Sequence, residues 1–382
     1  MGGGPAGLSA AGALKQVGLE ADVLDRDDRI GASWLRRYER LRLHTVRGLS
    51  GLAHLPIPSA YPRYVPKDLY AQYLREYVRS LGLRVKLGCS VSAIRIEPGA
   101  PPERRAYLLE TNRGTRRYRT VVVATGMYGE PVQPELPGRG GYRGALLHSS
   151  QYATGRALRG RRVLVVGLGN TGAEIAADLV ETGAAFVAVA VRTAPPVVPR
   201  DFLGVPVQLF GIALGGLPAP IADRVGSAVA RLALGDLGRY GLRKAQWEPF
   251  SDRRIPVIDV GFVRALKCGL VAIRPGIIGL TEGGAAYADG SQEPFDAVIF
   301  ATGYRTGLER LIAIPEMLDE TGYPQFSSGA PTSLPGLYFM GFVRSHRGHL
   351  FEIERASRRL ARTVLDFNGR RRVRETRPEA SR

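Results

Sequence analysis

The chain has 382 residues, 45% hydrophobic and 23% charged, an ordinary composition for soluble globular protein and enough length for two cores. Its formal charge of +18 is spread along the chain, clusters only at 113–119, 156–162 and 370–382, and accompanies no recognised nucleic-acid motif. That balance suits a solvated surface that attracts anionic nucleotides and argues against a nucleic-acid partner. The two cysteines, Cys89 and Cys268, form no CxxC, which excludes a disulfide framework and dithiol redox chemistry and fits a cytoplasmic location.

Taken in order, Gly2, Gly4 and Gly7 form a Gly-x-Gly-x-x-Gly within Gly2-Gly3-Gly4-Pro5-Ala6-Gly7. Apolar spacing predicts a helix from Leu8 to Val17 and a strand from Ala21 to Leu24, ending in Asp25 where such units hold an adenosine ribose. The strand that should precede the loop is absent from the sequence, and it would be central in a parallel sheet. The expectation is a true start further upstream or an imperfect sheet. Lys67 to Leu81 reads as an amphipathic helix, and 85–97, 106–111 and 118–123 read as strands. The last runs into Ala124-Thr125-Gly126, small residues that let backbone pass close to a ligand. Pro131, Pro134 and Pro137 mark a link.

The next strand, Arg162 to Val166, enters a second Gly-x-Gly-x-x-Gly at Gly167, Gly169 and Gly172, followed by a helical run to Val180. In this strand–loop–helix context the first glycine permits the turn, the second lets backbone approach a pyrophosphate and the third lets helix pack on strand. Asn170 and Thr171 lie in the loop as candidate nucleotide contacts. The strand Phe186 to Val191 ends at Arg192, where an NAD site would carry an acid, so a 2′-phosphate and NADP are favoured. Residues 202–222 are uncharged, but Pro206, Pro218 and Pro220 argue against a membrane span, and no secretory signal opens the chain. A helix from Ile221 to Leu234, a buried strand from Phe295 to Phe300, a second Ala301-Thr302-Gly303 and a strand around 336–342 follow. A helix from Phe351 to Asn368 and a solvated basic tail close the chain. The five histidines give no metal-ligand spacing beyond the His346/His349 pair, and no metal site is read.

Between the two glycine loops stands Tyr142-x-Gly144-x-x-x-His148-x-x-x-Tyr152. It resembles the identifying motif of the class B flavin-dependent monooxygenases. Gly31-Ala32-Ser33-Trp34 is similar to that family's Gly-Gly-x-Trp, and 38–45, 61–67, 234–242, 255–261 and 274–277 resemble its plant-type branch, which includes indole-3-pyruvate monooxygenases.

The resemblance implies an α/β fold of two nested doubly wound, Rossmann-like domains. Residues 1–145 and 305–370 would form the FAD domain, 146–304 the NADP domain and 371–382 a basic tail. Gly2, Gly3, Gly4, Pro5, Ala6, Gly7, Asp25, Ser33, Trp34, Arg42, Ala124, Thr125 and Gly126 would serve FAD. Gly167, Gly169, Asn170, Thr171, Gly172, Arg192, Ala301, Thr302 and Gly303 would serve NADP. Asn170, Thr45 and His148 are the candidate catalytic residues, although a linker histidine can equally be a hydrogen-bonded structural group. The implied enzyme reduces FAD with NADPH, forms a C4a-(hydro)peroxyflavin with molecular oxygen, and passes one oxygen atom to a small molecule. Such a substrate would be a soft nitrogen or sulfur nucleophile, or a 2-oxo acid of the indole-3-pyruvate type. A homo-oligomer is left open. At 343–350 histidine and arginine replace the small residues expected near the flavin edge. Two rivals stand: an NADPH-dependent flavin reductase or dehydrogenase, and a nucleotide-binding pseudoenzyme without a working FAD site.

Overall fold

A computed structural model describes residues 1–99, 105–312 and 314–375. Helix α1 (Pro5–Gln16) starts on a proline whose fixed φ and missing N–H suit a first helical position. Then come β1 (Asp22–Leu24), α2 (Lys67–Leu81), β2 (Arg84–Lys86), an antiparallel meander of β3 (Val91–Ile96), β4 (Tyr107–Thr111) and β5 (Gly114–Tyr118), and β6 (Val121–Val123). Strands β7 (Ala145–His148) and β8 (Arg162–Val166) lead to α3 (Asn170–Glu181) and β9 (Phe186–Ala190). Helices α4 (Val207–Leu214) and α5 (Ala219–Leu234) precede β10 (Val257–Asp259) and β11 (Val271–Arg274). A second meander, β12 (Ile277–Leu280), β13 (Gly284–Tyr287) and β14 (Gln292–Pro294), is followed by β15 (Ala297–Phe300), β16 (Leu337–Phe339) and α6 (His349–Glu375).

The middle of the chain builds a five-stranded parallel sheet in the order β11-β9-β8-β15-β7. Its central strands β9, β8 and β15 are buried on both faces and so read as continuous apolar runs. Val163, Val165, Val187 and Val189 face α3 and the short helix Phe262–Lys267, while Leu164, Val166, Ala188 and Phe300 face the second meander.

The two ends of the chain build the other lobe together. Strand β1 pairs with β2, and β6 pairs with β16, all parallel. Met1 and Gly2 form the rung between these pairs: the Met1 nitrogen donates to Val122 O at 2.8 Å, Ala124 N donates to Met1 O at 2.8 Å, and Gly2 N donates to Leu24 O at 2.8 Å. Helices α1, α2 and α6 share one core in which Leu8, Tyr70, Tyr77, Ile353 and Leu360 are buried.

Three expectations are corrected. The run 85–97 is not one strand, because the chain turns at Gly88 (φ +61°), leaving β2 to pair with β1 and β3 to enter the meander. Residues 112–117 are a hairpin and its return strand, turned at Gly114 with φ +91°. The last helix runs on to Glu375, since a single glycine among good helix formers does not stop it; residues 376–382 of the expected tail lie outside the described residues.

Candidate active site

The two glycine loops have the same geometry. Gly2 and Gly167 open them at φ +98° and +103°, a left-handed region that a side chain disfavours. A Cβ on Gly7 would collide with the Gly2 carbonyl, and one on Gly172 with the Gly167 carbonyl. The middle glycines differ: a Cβ on Gly4 or on Gly169 would meet nothing within 4 Å. Each middle glycine is the N-cap of its helix, and neither helix has a side-chain cap, so both N-termini present unsatisfied N–H groups beside an open backbone surface. The Ala-Thr-Gly segments back the loops in matching positions: a Gly2 Cβ would strike Ala124 O, and a Gly167 Cβ would lie 2.8 Å from Ala301 O. Pro5 and Ala6 open α1, Gly126 and Gly303 take φ +85° and +88°, and Thr302 Oγ1 donates to Val132 O. Asp25 accepts from Gly3 N and, at 2.7 Å, from Asp27 N.

Around the second loop, the Asn170 carboxamide is held by backbone, donating to Pro256 O at 3.1 Å and accepting from Ile258 N at 2.7 Å. It ties the start of α3 to β10, and Thr171 follows it on the first turn. Arg192 is exposed just past β9 and makes no hydrogen bond or ion pair among the described residues.

The linker motif is stitched into the second lobe at three points. Tyr142 OH donates to Phe295 O at 2.9 Å, and a Cβ on Gly144 would lie 2.7 Å from Asp296 O. His148 is buried at the end of β7; its Nδ1 accepts from Ser150 N at 3.1 Å, which leaves Nε2 to donate to Gly303 O at 3.2 Å. Burial depresses the imidazole pKa, so His148 is a neutral post under the Ala301–Gly303 turn. Tyr152 OH donates to Asp178 on α3 at 2.5 Å, and burial with that carboxylate pushes the phenol far above its ordinary pKa.

In the first lobe, Gly31 is left-handed (φ +83°) and packs on Ala71, which starts the short helix Ala32–Leu35. Ser33 on that helix is exposed, and the Trp34 ring meets Tyr70 edge-on at 4.5 Å. Thr45 Oγ1 and Ser50 Oγ are 2.7 Å apart; since Ser50 donates to Val46 O, Thr45 is the donor of that pair. Arg42 is exposed in a cavity of about 360 Å³ between the lobes, shared with Arg40, His44, Glu174, Glu181 and Arg200.

A family profile described as pyridine nucleotide-disulphide oxidoreductase matches residues 1–197. An indole-3-pyruvate monooxygenase of rice, Oryza sativa subsp. japonica, is 33% identical over 362 residues, covering 90% of this chain and 86% of the rice protein. A probable indole-3-pyruvate monooxygenase of Arabidopsis thaliana is 30% identical over 97% of this chain and 90% of its own length. A substituted flavin monooxygenase from Stenotrophomonas maltophilia superposes with a TM-score of 0.71 at 25% identity, covering 96% of this chain and 97% of its own. The chain is a flavin-dependent monooxygenase of the indole-3-pyruvate monooxygenase-like branch. An NADP-bound steroid monooxygenase shares the fold (TM-score 0.75, 16% identity, covering 97% of this chain and 85% of its own).

The monooxygenase uses FAD and NADPH, and the residues present fit both. Two uncapped helix N-termini face open glycine backbone, as two pyrophosphates require. Arg192 stands free for a 2′-phosphate. Cys89 is buried and Cys268 exposed, both as free thiols. No described helix is long and apolar enough to cross a membrane.

Sequence reasoning missed the contacts along the seam. Segment 37–44 of the first lobe lies against the second: Arg37 Nη1 donates to Tyr304 OH at 2.9 Å, Glu39 N to Ala153 O at 2.8 Å, and Arg40 Nη2 to Val260 O at 2.9 Å. His44 Nε2 is 2.6 Å from Glu174 Oε1, and the buried Tyr38 phenol beside them is held well above its ordinary pKa by burial and by the Glu174 charge. A signal existed in the sequence: Glu174, Asp178 and Glu181 form an i, i+4, i+7 stripe on an otherwise Ala-rich, apolar helix.

Proposed function

We propose that this monooxygenase acts on a small 2-oxo acid of the indole-3-pyruvate type and converts it by oxidative decarboxylation. The observation that supports the reading is the similarity to indole-3-pyruvate monooxygenases over nearly the whole chain. The balanced reaction takes the 2-oxo acid, molecular oxygen, NADPH and a proton to the chain-shortened acid, carbon dioxide, NADP⁺ and water. FAD and NADPH supply the electron transfer and oxygen activation when bound.

The chain supplies position and exclusion of water. Gly2 to Gly7 with Ala124 to Gly126 would hold the FAD pyrophosphate, Asp25 its ribose, and Ser33, Trp34, Arg42 and Thr45 the region of its ring. Gly167 to Gly172, Arg192 and Ala301 to Gly303 would hold NADP. In this reading Asn170 acts by fixing the start of α3, and His148 by fixing Gly303. Arg42, without an ion-pair partner among the described residues, offers a cation to an anionic group in the seam. Residues 1–145 and 305–370 form the FAD domain and 146–304 the NADP domain. The protein works in the cytoplasm without a nucleic-acid partner.

The test is to supply the FAD-loaded protein with NADPH, oxygen and an aryl-substituted pyruvate, and to quantify carbon dioxide and the shortened acid by mass spectrometry. One carbon dioxide per NADPH oxidised is expected. NADPH consumption that the acid does not change, appearing as hydrogen peroxide, would overturn the assignment; oxygenation of a thioether in its place would move it to soft nucleophiles.

A further inference from the structure

Glu174 sits one turn into α3, the helix whose N-terminus faces the dinucleotide, and its side chain is only 3% exposed. A buried carboxylate is costly unless paired. Its helix neighbours Ala173, Ile175 and Ala176 are buried and apolar. The carboxylate is instead taken by a group from the other lobe, His44 Nε2 at 2.6 Å. His44 lies two residues from Arg42 and one from Thr45, in the loop assigned above to the flavin ring. Further along the same helix, Asp178 holds the linker through Tyr152 OH and Gly155 N, and Glu181 lies 3.3 Å from Arg40. One acidic stripe on the NADP helix therefore grips the linker and the flavin-side loop together.

We propose that Glu174, through His44, is a positioning residue that sets the NADP helix against the flavin-side loop and so fixes the distance for hydride transfer. The inference rests on the monooxygenase reading. A displacement of about 1 Å at a reacting centre can cost about a hundredfold in rate without loss of binding. The effect should therefore fall on the reduction step rather than on NADPH affinity.

The experiment is anaerobic stopped-flow reduction of the full-length, FAD-loaded enzyme by NADPH. E174A is expected to lower the limiting rate of flavin reduction about ten- to hundredfold with the NADPH Kd changed less than about threefold. E174Q, which keeps the shape and an acceptor, should recover most of the rate. H44A should match E174A, and the double variant should be no slower than the slower single one, as expected of residues acting as one unit. A wild-type rate in E174A, a Kd that weakens in step with the rate, or additive losses in the double variant would each overturn the proposal. Should E174A fail to retain FAD, H44A alone tests the same contact from its more exposed partner, with the same loss of about tenfold or more expected at unchanged Kd; an unchanged rate there would overturn it equally. A wild-type flavin that NADPH does not reduce would overturn the monooxygenase reading and this inference with it, which distinguishes the two failures.

Discussion

The Tyr152 phenol and the Gly155 N–H donate to the same oxygen of Asp178, at 2.5 and 2.9 Å, inside a site where Tyr152 is 3% and Asp178 8% exposed. The last residue of the linker motif is thus a tether to α3. Y152F removes one hydrogen bond to a charged group and should cost about 1.5–3 kcal/mol. D178A leaves the phenol and the amide without a partner and should cost more, about 3 kcal/mol or above. Chemical denaturation with and without NADP checks both, and Y152F should keep a flavin-reduction rate near wild type. A Y152F enzyme of normal stability that cannot be reduced would assign the phenol to the chemistry.

The four inner glycines divide into two kinds. G172A and G7A place a methyl group against the carbonyl of Gly167 or Gly2 and should prevent the loop from closing, with loss of soluble folded protein. G169A and G4A place it in open space, so folding should survive while the methyl group occupies the approach of a pyrophosphate. NADPH KM should rise at least about tenfold in G169A, roughly the loss of 1.4 kcal/mol of binding, with FAD content unchanged. G4A should show the reverse pattern, released flavin with an intact NADP site. Titration of each variant with each nucleotide separates these outcomes.

Arg192 is exposed, unpaired among the described residues and placed at the end of β9. R192A should reduce kcat/KM for NADPH by about ten- to a hundredfold, the worth of one or two charge-assisted hydrogen bonds to a 2′-phosphate, and leave NADH nearly unaffected. Steady-state kinetics with both coenzymes give the ratio directly. An equal fall for both would place Arg192 on the shared part of the dinucleotide instead.

Much of this site was legible because its signals are local. A glycine loop needs only its own spacing and the strand and helix beside it, so Gly2–Gly7 and Gly167–Gly172 could be read from a dozen residues each. The motif Tyr142/Gly144/His148/Tyr152 was equally visible, but its use was not: the Gly303 carbonyl that receives the His148 N–H is 155 residues away, and the tether from Tyr152 is 26 away on a different element. His44 and Glu174 are 130 residues apart, and neither the segment 38–45 nor the acidic stripe on α3 says by itself that the two meet. The substituted segment 343–350 shows the same limit. His346 packs on Phe250 with ring centres 4.4 Å apart, and Gln208 of α4 binds both Arg347 O and Val46 N. The cover over loop 42–50 is therefore made by residues whose sequence neighbourhoods say nothing of one another.

The buried rings also set the pH range of stability. Burial holds His148, His346 and His349 below the ordinary imidazole value. In the unfolded chain these groups take up protons as pH falls through about 6.5, while the folded chain resists until lower pH, so their contribution is present above about 6.5 and lost below it. Tyrosines shift the other way: burial raises Tyr142 and Tyr338 to about 12 and Tyr70 well above its ordinary value. Unfolded phenols ionise near pH 10, so the contribution of these groups is complete below about 10 and falls as pH rises toward the folded values. Each group changes stability by at most about 1.4 kcal/mol per pH unit within its window. Thermal unfolding should therefore show a plateau between about pH 6.5 and 10 with losses on both sides, steeper on the alkaline side where Tyr73, Tyr77 and Tyr152 are raised as well. Tyrosinate absorbance recorded in parallel should rise for the exposed rings first and for the buried set only as the fold is lost. If the full complement ionised near pH 10 with the fold intact, the packing around α2 and the linker would be looser than the hydrogen bonds from Tyr73 OH to Leu55 O at 2.6 Å, Tyr77 OH to Ala53 O at 2.7 Å and Tyr142 OH to Phe295 O require.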